Sequence, residues 1–410
     1  MKINILVPDV SSPTVGAAVA LCGYLSARHD LDIVGPNMGP GVCGMYRTAA
    51  PFRTVFCPRL YRLPDYLWQS RRLDPLLDGD LIVSVKAYAN TLPVALRVKK
   101  KRGCPVMVYL DEWDGAVYYQ QTRRQRVAGW LANWHHPMSE IYTSLVEKMI
   151  PFADAVLSTT RFLQSRFGGQ VIRMGVDSGR FCPQPAERVT RLRSELGLEE
   201  YRIIVFGGVA RPHKGIELLL EAIRRVRGHE VRLVVAGPRT PWLERLMKTP
   251  EYRDLLYCVG DALAADSVMN QQVHDRLPEY LDLADIIVLP QMDTLLARSQ
   301  MPIKVFEAMA MAKPIIASNV SDLPLVLEGC GRIVPPGDLV ALAEAIEYVL
   351  NHPEESAAMG MAARRRCVNL YSREQTEKEL LEIIRKHDAP PGKSLSSRRD
   401  DKAEAVQVLG

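Results

Sequence analysis

The segment FGGVARPHKG, residues 206–215, places three basic side chains, Arg211, His213 and Lys214, directly after two glycines. It follows an apolar run and precedes an amphipathic helical pattern. Backbone amides at a helix start are unpaired, and the helix dipole favours negative charge there. Gly208 allows close backbone approach to a ligand, an arginine can hold two phosphate oxygens, and a lysine adds a mobile charge. The segment predicts a phosphate site, with a solvated basic turn as the alternative.

A second segment that could do chemistry is RSQMPIKVFEAMAMAKPIIASNVSDLP, residues 298–324. Pro302 suits the start of a helix, where its missing amide would be unpaired in any case. Lys304 falls in the first turn, where the dipole disfavours a cation unless an anion shares the site. Glu307 follows at i+3 on nearly the same face. Either the two side chains form an ion pair, or Glu307 accepts hydrogen bonds from sugar hydroxyls while Lys304 faces a phosphate.

Alternating elements along the chain would position these residues. Short β-branched runs alternate with longer helical patterns, which predicts an α/β protein with parallel sheets covered by helices. The predicted strands are 3–8, 31–35, 81–85, 105–110, 155–158 and 170–174 in the first half, and 202–208, 231–237, 255–260, 285–290, 313–318 and 331–336 in the second. Two such series predict two doubly wound, Rossmann-like domains facing across a cleft, with ligands beyond the carboxyl ends of the strands.

The boundary between the two domains is predicted near CPQPAERV, residues 182–189, which is rich in proline and charge. Two domains also suit a chain of 410 residues. The predicted ranges are 1–183 for an N-terminal acceptor-binding domain, 184–370 for a C-terminal donor-binding domain, 371–387 for a helix that packs back on the N-terminal domain, and 388–410 for a disordered tail.

Composition describes a folded protein, with 47% hydrophobic and 24% charged residues. The net charge of +5 is compatible with anionic ligands or a membrane surface, but it is not a nucleic-acid footprint. Eight scattered cysteines without a Cys-x-x-Cys pair argue against disulfides and zinc and for a reducing compartment. Because no signal peptide or membrane-spanning stretch is visible, we expect a cytoplasmic protein that can contact the inner face of a membrane.

Three stretches carry a family resemblance: FGGVARPHKGIELLLEA, PIKVFEAMAMAKPIIAS and GRIVPPGD. They resemble the donor-binding half of glycosyltransferase family 4, whose members have the GT-B fold. Residues 153–183 are similar to that family's approach to the interdomain linker. The likeness covers roughly residues 150–385 in the right order. It implies a nucleotide-sugar donor, a glycan, lipid-linked or small-molecule acceptor, retention of anomeric configuration and no cofactor.

The resemblance also implies roles for individual residues. Arg211 and Lys214 would contact the diphosphate and act in catalysis. Glu307 would bind the ribose. The resemblance places three glycines near the donor as well: Gly237 and Gly260 near the base and ribose, and Gly16 in a loop facing the phosphates.

Two positions depart from the family pattern. The loop VSSPTVGAA, residues 10–18, has one glycine where two are usual. Ser299 stands eight positions before Glu307, where the family commonly has a second glutamate that contacts the donor sugar. This leaves two alternatives open: a protein of this fold that binds nucleotide sugar without turnover, and a sugar-nucleotide epimerase.

Carboxylates are the other candidates for chemistry. The triplet Asp30-Leu-Asp32 is predicted at the entry to a strand, away from the cleft, so we expect no metal site and metal-independent transfer through fixed positive groups. Asp111 and Asp114, in VYLDEWDG, follow a buried strand. Asp111 is the candidate catalytic carboxylate near the acceptor, and a helix-capping aspartate is the alternative.

The acceptor side offers one more pattern, QQTRRQRVAGWLANWHH, residues 120–136. It carries three arginines, then Trp130 and Trp134 at i,i+4 spacing. Such a helix could lie on an anionic bilayer and present a lipid-linked acceptor. The alternative is that the tryptophans form a core face.

Overall fold

The computed structural model describes residues 1–58, 62, 64–134, 139–262 and 268–387. Within this part the chain forms a seven-stranded and a six-stranded sheet, both parallel and flanked by helices. The predicted α/β class with two doubly wound domains is confirmed. The predicted tail, 388–410, lies outside the described residues.

The first sheet occupies the N-terminal part of the chain. Its strands are β1 (Lys2–Leu6), β2 (Asp30–Asn37), β3 (Phe52–Phe56), β4 (Leu81–Val85), β5 (Val106–Leu110), β6 (Ala155–Ser158) and β7 (Gln170–Val171). Its helices are α1 (Gly16–Leu25), α2 (Asp65–Gln69), α3 (Leu92–Arg102), α4 (Ala116–Tyr119), α5 (Arg123–Asn133), α6 (Glu140–Glu147) and α7 (Arg161–Phe167). The spatial order is β3-β2-β1-β4-β5-β6-β7. Chain order therefore reverses between β1 and β4, where a doubly wound sheet opens a crevice at its carboxyl edge.

The second sheet repeats this plan. Its strands are β8 (Arg202–Gly207), β9 (Val231–Ala236), β10 (Leu256–Cys258), β11 (Ile286–Leu289), β12 (Ile315–Ser318) and β13 (Arg332–Val334). Its helices are α8 (Ala186–Glu195), α9 (Ile216–Ile223), α10 (Pro241–Lys248), α11 (Val268–Asp275), α12 (Leu277–Asp282), α13 (Leu295–Ser299), α14 (Ile303–Ala310), α15 (Leu323–Val326), α16 (Leu339–Asn351) and α17 (Pro353–Leu370). The order β10-β9-β8-β11-β12-β13 places the reversal between β8 and β11.

The core of each half consists of apolar side chains from both faces of its sheet. In the second half, Val205 and Ile287 pack towards α14, while Ile204 and Val288 pack towards α9 and α16. This two-sided burial explains why the central strands read as continuous apolar runs. Strand β3 was not predicted, because its sequence FRTVF is partly exposed at the sheet edge and lacks such a run.

A C-terminal helix joins the two halves. Helix α18 (Arg373–His387) follows α17 but packs against α1 of the first half. Leu380 and Ile383 are buried in the apolar cluster that contains Ile5, and Arg28 pairs with Glu377 at 3.2 Å. None of the described helices is both long and apolar enough to cross a membrane.

Candidate functional site

A cavity of about 430 Å³ lies between the carboxyl edges of the two sheets. Both halves contribute walls, as expected for a cleft at two facing switch points. The lining residues from the first half are Gly16, Ala17, Ala20, Tyr46, Asp111, Thr159 and Met174, and those from the second are Gly208, Lys214, His274, Leu277, Gln300, Met301, Pro302, Ile303, Lys304, Phe306 and Glu307. Most of the predicted site residues therefore meet in one place.

The turn after β8 forms one corner of the cavity. Gly208 has φ +92°, and a Cβ there would lie 2.6 Å from Lys304 Nζ. Only glycine suits both this backbone conformation and the close approach of the lysine. Lys214 ends a short 3₁₀ helix, Pro212–Lys214, and the next residue, Gly215, would place a Cβ 1.8 Å from the Pro290 carbonyl oxygen. The structural requirement for Gly215 was not recognised in the sequence.

Two ammonium groups share this corner. Burial, together with the charge of Lys304, lowers the pKa of Lys214 to about 8. Such a shift means that positive charge is concentrated and only partly neutralised here. Burial and the same cationic surroundings lower the pKa of His213 to about 4, so this imidazole is neutral near pH 7. The corner is therefore suited to an anion.

Arg211 lies at the edge of this corner. Its side chain is exposed, it adopts an extended backbone conformation, and it is not among the residues that line the cavity. Its charge nevertheless contributes to the lowered pKa of Lys214. The predicted contact of Arg211 with a diphosphate stays a prediction.

Glu307 also lines the cavity, on α14, one turn after Lys304. It is buried, its Oε2 has no hydrogen-bond partner, and burial raises its pKa against the opposing charge of Lys304. Lys304 and Glu307 form no ion pair within 4.0 Å, so the ion-pair alternative does not hold. A buried acceptor without a donor is costly, and a ligand hydroxyl in the cavity could satisfy it.

The three remaining glycines differ in their surroundings. Gly16 begins α1 and lines the cavity, where a Cβ would approach the Tyr46 hydroxyl to 2.9 Å. Gly237 and Gly260 lie instead in tight backbone contacts at the ends of β9 and β10. A Cβ on Gly237 would lie 2.2 Å from the Gly208 carbonyl oxygen, and one on Gly260 would lie 1.9 Å from that of Gly237. Neither lines the described cavity, so this packing accounts for both residues without a ligand.

An acidic cluster at the ends of β4 and β5 forms the N-terminal side of the cleft. Its centre is Lys86, which is 3% exposed and has φ +66°. Lys86 Nζ lies 2.5 Å from Glu112, 3.0 Å from Asp114 and 3.4 Å from Asp111. Tyr88 also donates a hydrogen bond to Asp114. Three carboxylates thus surround one cation, which leaves the cluster negative.

The structure excludes the helix-cap alternative for Asp111, and its catalytic role stays a prediction. Neither Asp111 nor Asp114 caps α4, whose N-cap is Gly115 without a side-chain hydrogen bond. Burial raises the pKa of Asp111 to about 6 despite the opposing charge of Lys86. Lys86 was missed in the sequence, although a lysine directly after the apolar run LIVSV was a usable signal.

A hydrogen-bonded bridge connects the two sides of the cleft. Lys214 Nζ donates to Gln300 Oε1 at 3.0 Å, and Gln300 Nε2 donates to Glu112 Oε2 at 3.1 Å. Burial opposes ionisation of Glu112, but the charges of Lys86 and other nearby cations lower its pKa. Gln300 was also missed, since nothing local in the sequence distinguishes it.

Ser299 does not line the cavity. It is fully buried where α13 meets the first half, and its Oγ accepts a hydrogen bond from the Trp113 amide at 3.0 Å. Thr160 Oγ1 donates to the Ser299 carbonyl oxygen at 3.2 Å. At the position where the family commonly has a sugar-binding glutamate, this chain has a contact between its halves.

The triplet Asp30-Leu-Asp32 lies away from the cleft, as predicted. Asp32 pairs with Lys2 and Arg53, each at 3.3 Å, near the amino end of β2. In the described ranges, no group of three or more His, Cys, Asp or Glu side chains is arranged to hold a metal ion.

Helix α5 has no buried residue. Trp130 is 47% exposed and Trp134 is 58% exposed, so the core-face alternative is wrong. Val127 and Leu131 are exposed too, at 56% and 64%. Together the four side chains form an i, i+3, i+4, i+7 stripe on the surface.

Sequence comparison places these features in a known context. A sequence model of the family described as "Glycosyl transferases group 1" matches residues 200–352. A relative from Streptomyces kanamyceticus, named alpha-D-kanosaminyltransferase, is 28% identical over 41% of this chain and 41% of its own length. A relative from Mycolicibacterium smegmatis, named GDP-mannose-dependent alpha-(1-6)-phosphatidylinositol monomannoside mannosyltransferase, is 27% identical over 84% of this chain and 87% of its own length.

Structural comparison extends the likeness to the whole fold. A structure of HepE from Anabaena, solved in complex with UDP-glucose, superimposes with a TM-score of 0.66 at 17% identity. The match covers 94% of this chain and 100% of that one. At this identity the likeness shows a shared fold.

Proposed function

We propose that this chain, which is a glycosyltransferase with the GT-B fold, transfers a sugar from a nucleoside-diphosphate sugar to a glycan or lipid-linked acceptor. The observation that carries the proposal is the pairing of two ammonium groups, Lys214 and Lys304, with the unpartnered buried carboxylate of Glu307 in one cavity. A nucleoside diphosphate carries both complementary groups: a diphosphate for the lysines and ribose hydroxyls for the glutamate.

The names of the similar proteins support a donor of this class. The M. smegmatis relative is named as GDP-mannose-dependent, and the Anabaena structure contains UDP-glucose. The S. kanamyceticus and M. smegmatis relatives are both named as transferases. The two alternatives, an epimerase and a binding protein without turnover, therefore gain no support. Base and sugar stay open for this chain.

The reaction needs positive charge where the diphosphate leaves. We assign that role to Lys214, Lys304 and the helix amides behind Gly208, with Arg211 joining them from the rim. These fixed charges support transfer without a metal ion. Assay in the presence of a chelator tests this proposal, and complete loss of activity contradicts it.

Retention of configuration rests on the family resemblance alone. In this mechanism the bond from the anomeric carbon to the diphosphate breaks, the acceptor oxygen bonds on the same face, and the acceptor proton moves to a nearby base. Asp111 lines the cavity from the acceptor side, and we propose it as the residue that orients the acceptor hydroxyl. Proton NMR of the product's anomeric signal distinguishes retention from inversion.

Calorimetric titration with UDP and with GDP tests the donor site. We expect Lys214→Met and Glu307→Gln each to weaken binding of the preferred nucleotide about ten- to hundredfold, because each removes a hydrogen bond involving a charged group. Lys248→Met and Glu344→Gln, two exposed positions in the same half, are the matched controls. Unchanged affinity in both site variants would contradict the proposal.

We also propose that the stripe on α5 contacts an anionic bilayer. Arg123 and Arg124 are exposed at the start of the same helix, and each arginine near such a surface contributes about 1 kcal/mol. Sedimentation with phosphatidylcholine vesicles, with and without phosphatidylglycerol, tests this contact. Binding only to the anionic vesicles, lost in a Leu131→Ser/Trp134→Ser variant, supports it; equal binding by this variant contradicts it.

A further inference from the structure

A second cavity, of about 310 Å³, lies on the first half between α4, α5 and α6. Its volume falls in the range of small-ligand sites. One wall is a stripe of α5 at i, i+3, i+4 and i+7: Arg126, Gly129, Trp130 and Asn133. This stripe is next to the apolar stripe proposed to face the bilayer, and only Trp130 belongs to both.

One buried group in this cavity lacks a partner. Ser139 is 6% exposed and lines the cavity, and its Oγ has no hydrogen-bond partner. It stands at the N-cap of α6 but makes no side-chain cap there. A buried hydroxyl without a partner is destabilising, so this group is suited to a ligand that supplies one.

The remaining lining indicates which ligand chemistry fits. Arg126 is already paired, with its Nε 2.8 Å from Glu140 Oε1, so the described lining residues offer no free cation for a phosphate. Gln121 and Asn133 provide amides that donate and accept, and Trp130 provides an aromatic face. Among the described lining residues, only Tyr118 and Trp130 present apolar rings, and the other side chains are polar. A ligand that fits this lining has neutral hydroxyls and a flat apolar ring face, and a sugar unit has both.

The cavity is also close to the reacting end of the cleft. Tyr118 lines it and lies four residues after Asp114 of the acidic cluster. Burial and the charges of Glu140 and Asp114 raise the pKa of Tyr118, and Glu140 lines the same cavity. A ligand that spans the two places would be longer than one sugar.

We propose that this cavity is an acceptor subsite that holds a neutral sugar unit beyond the one that receives the transferred sugar. The acceptor is then at least a disaccharide, or a disaccharide-like head group. This inference rests on the proposed transferase function, and it adds the length and the charge of the acceptor to it.

Gly129 provides a sharp test. A Cβ there would meet nothing within 4 Å, so Gly129→Leu fills the cavity without a clash. The variant should also fold well, because glycine in a helix interior is less favourable than leucine. Ala128→Leu, at an exposed neighbouring position that does not line the cavity, adds the same side chain as a control. Ser139→Ala removes the unpartnered hydroxyl.

The probe is an array of mono- to tetrasaccharides of glucose, mannose, galactose and N-acetylglucosamine, incubated with labelled protein. We expect the wild type and Ala128→Leu to retain particular oligosaccharides about tenfold more strongly than the matching monosaccharides. Gly129→Leu should lose this preference, and Ser139→Ala should weaken it about three- to tenfold, the equivalent of one hydrogen bond. Wild-type behaviour of Gly129→Leu, or no oligosaccharide preference in the wild type, overturns the proposal.

UDP and GDP titrations of the same proteins separate the two hypotheses. Unchanged nucleotide binding in Gly129→Leu, with lost oligosaccharide preference, supports the subsite. Absence of nucleotide binding in the wild type would contradict the transferase function itself, whatever the array reports.

Discussion

At the scale of single residues, the candidate site is defined by an uneven distribution of charge. Lys214 and Lys304 repel each other, and neither forms an ion pair with a described carboxylate, whereas Lys86 is surrounded by three carboxylates. The cleft therefore has a positive side and a negative side. The Gln300 side chain bridges them, since it accepts from Lys214 and donates to Glu112.

The lowered pKa of Lys214 gives a pH dependence of nucleotide binding. An anion binds the protonated lysine, which predominates below a pKa of about 8 and disappears above it. Affinity for UDP or GDP should therefore be full near pH 7 and fall up to tenfold per unit above about pH 8. Calorimetry across this pH range measures the change in nucleotide affinity. Lys214→Arg should remove the inflection, because arginine stays charged; an inflection that persists in this variant assigns it to another group.

Lys86 gives a prediction about stability. Lys86→Met leaves Asp111, Glu112 and Asp114 close together without a cation, and we expect a loss of about 3–5 kcal/mol in the free energy of unfolding near pH 7. The folded-state pKa values of Asp111 and Asp114 are already raised by burial and would rise further without the charge of Lys86, so the destabilisation should shrink as the pH falls towards about 4. Urea unfolding at both pH values measures the difference.

A surface ion pair supplies the control for this variant. Lys99 pairs with Asp154 at 2.7 Å, with both side chains partly exposed. Lys99→Met should cost less than about 1 kcal/mol at either pH. Similar losses for the two variants would show that Lys86 does not hold the cluster together.

At the scale of elements, local patterns made the strands and the glycine turn after β8 predictable. Gly208 marks the end of β8 and Pro302 marks the start of α14, so the position of these segments at the cleft follows from the sequence. The bridge through Gln300 could not be predicted, because Glu112 and Gln300 come from different domains. The face of α5 was ambiguous for another reason: an apolar stripe has the same period whether it is buried or exposed.

The turn after β8 gives a prediction with a close control. Gly208→Ala would put a strained alanine at φ +92°, and its Cβ would lie 2.6 Å from Lys304 Nζ. The lysine would then have to move away. We expect a loss of stability of about 1 kcal/mol, together with a tenfold or larger loss of UDP or GDP affinity, because Lys304 must move. Gly228 has φ +75° and open space around its Cβ position.

Gly228→Ala should therefore show the backbone strain without the loss of nucleotide affinity. Thermal unfolding and calorimetry on both variants separate the two effects. Equal nucleotide affinity in the two variants would mean that the position of Lys304 does not matter for the donor.

At the scale of the whole molecule, the two halves are joined at several separate places. Helix α18 returns to α1, Arg173 pairs with Asp322 at 2.6 Å, and α13 contacts the first half through Ser299. These joints fix the distance between the positive and negative sides of the cleft. A change at one of them can therefore alter the site without touching the cavity.

Ser299 lets this argument be tested against the family pattern. If the position served the donor sugar, Ser299→Glu would improve sugar-nucleotide use. Because the side chain is fully buried at the joint, we expect instead that a carboxylate there is driven out of its site, with a loss of several kcal/mol in the free energy of unfolding. Ser299→Ala should lower the free energy of unfolding by only about 1 kcal/mol, because it removes one hydrogen bond to the Trp113 amide. Ser165→Ala, at an exposed position of α7, should be neutral. Urea unfolding with parallel UDP and GDP titration decides: a stable Ser299→Glu protein with tighter sugar-nucleotide binding would return this position to the donor site.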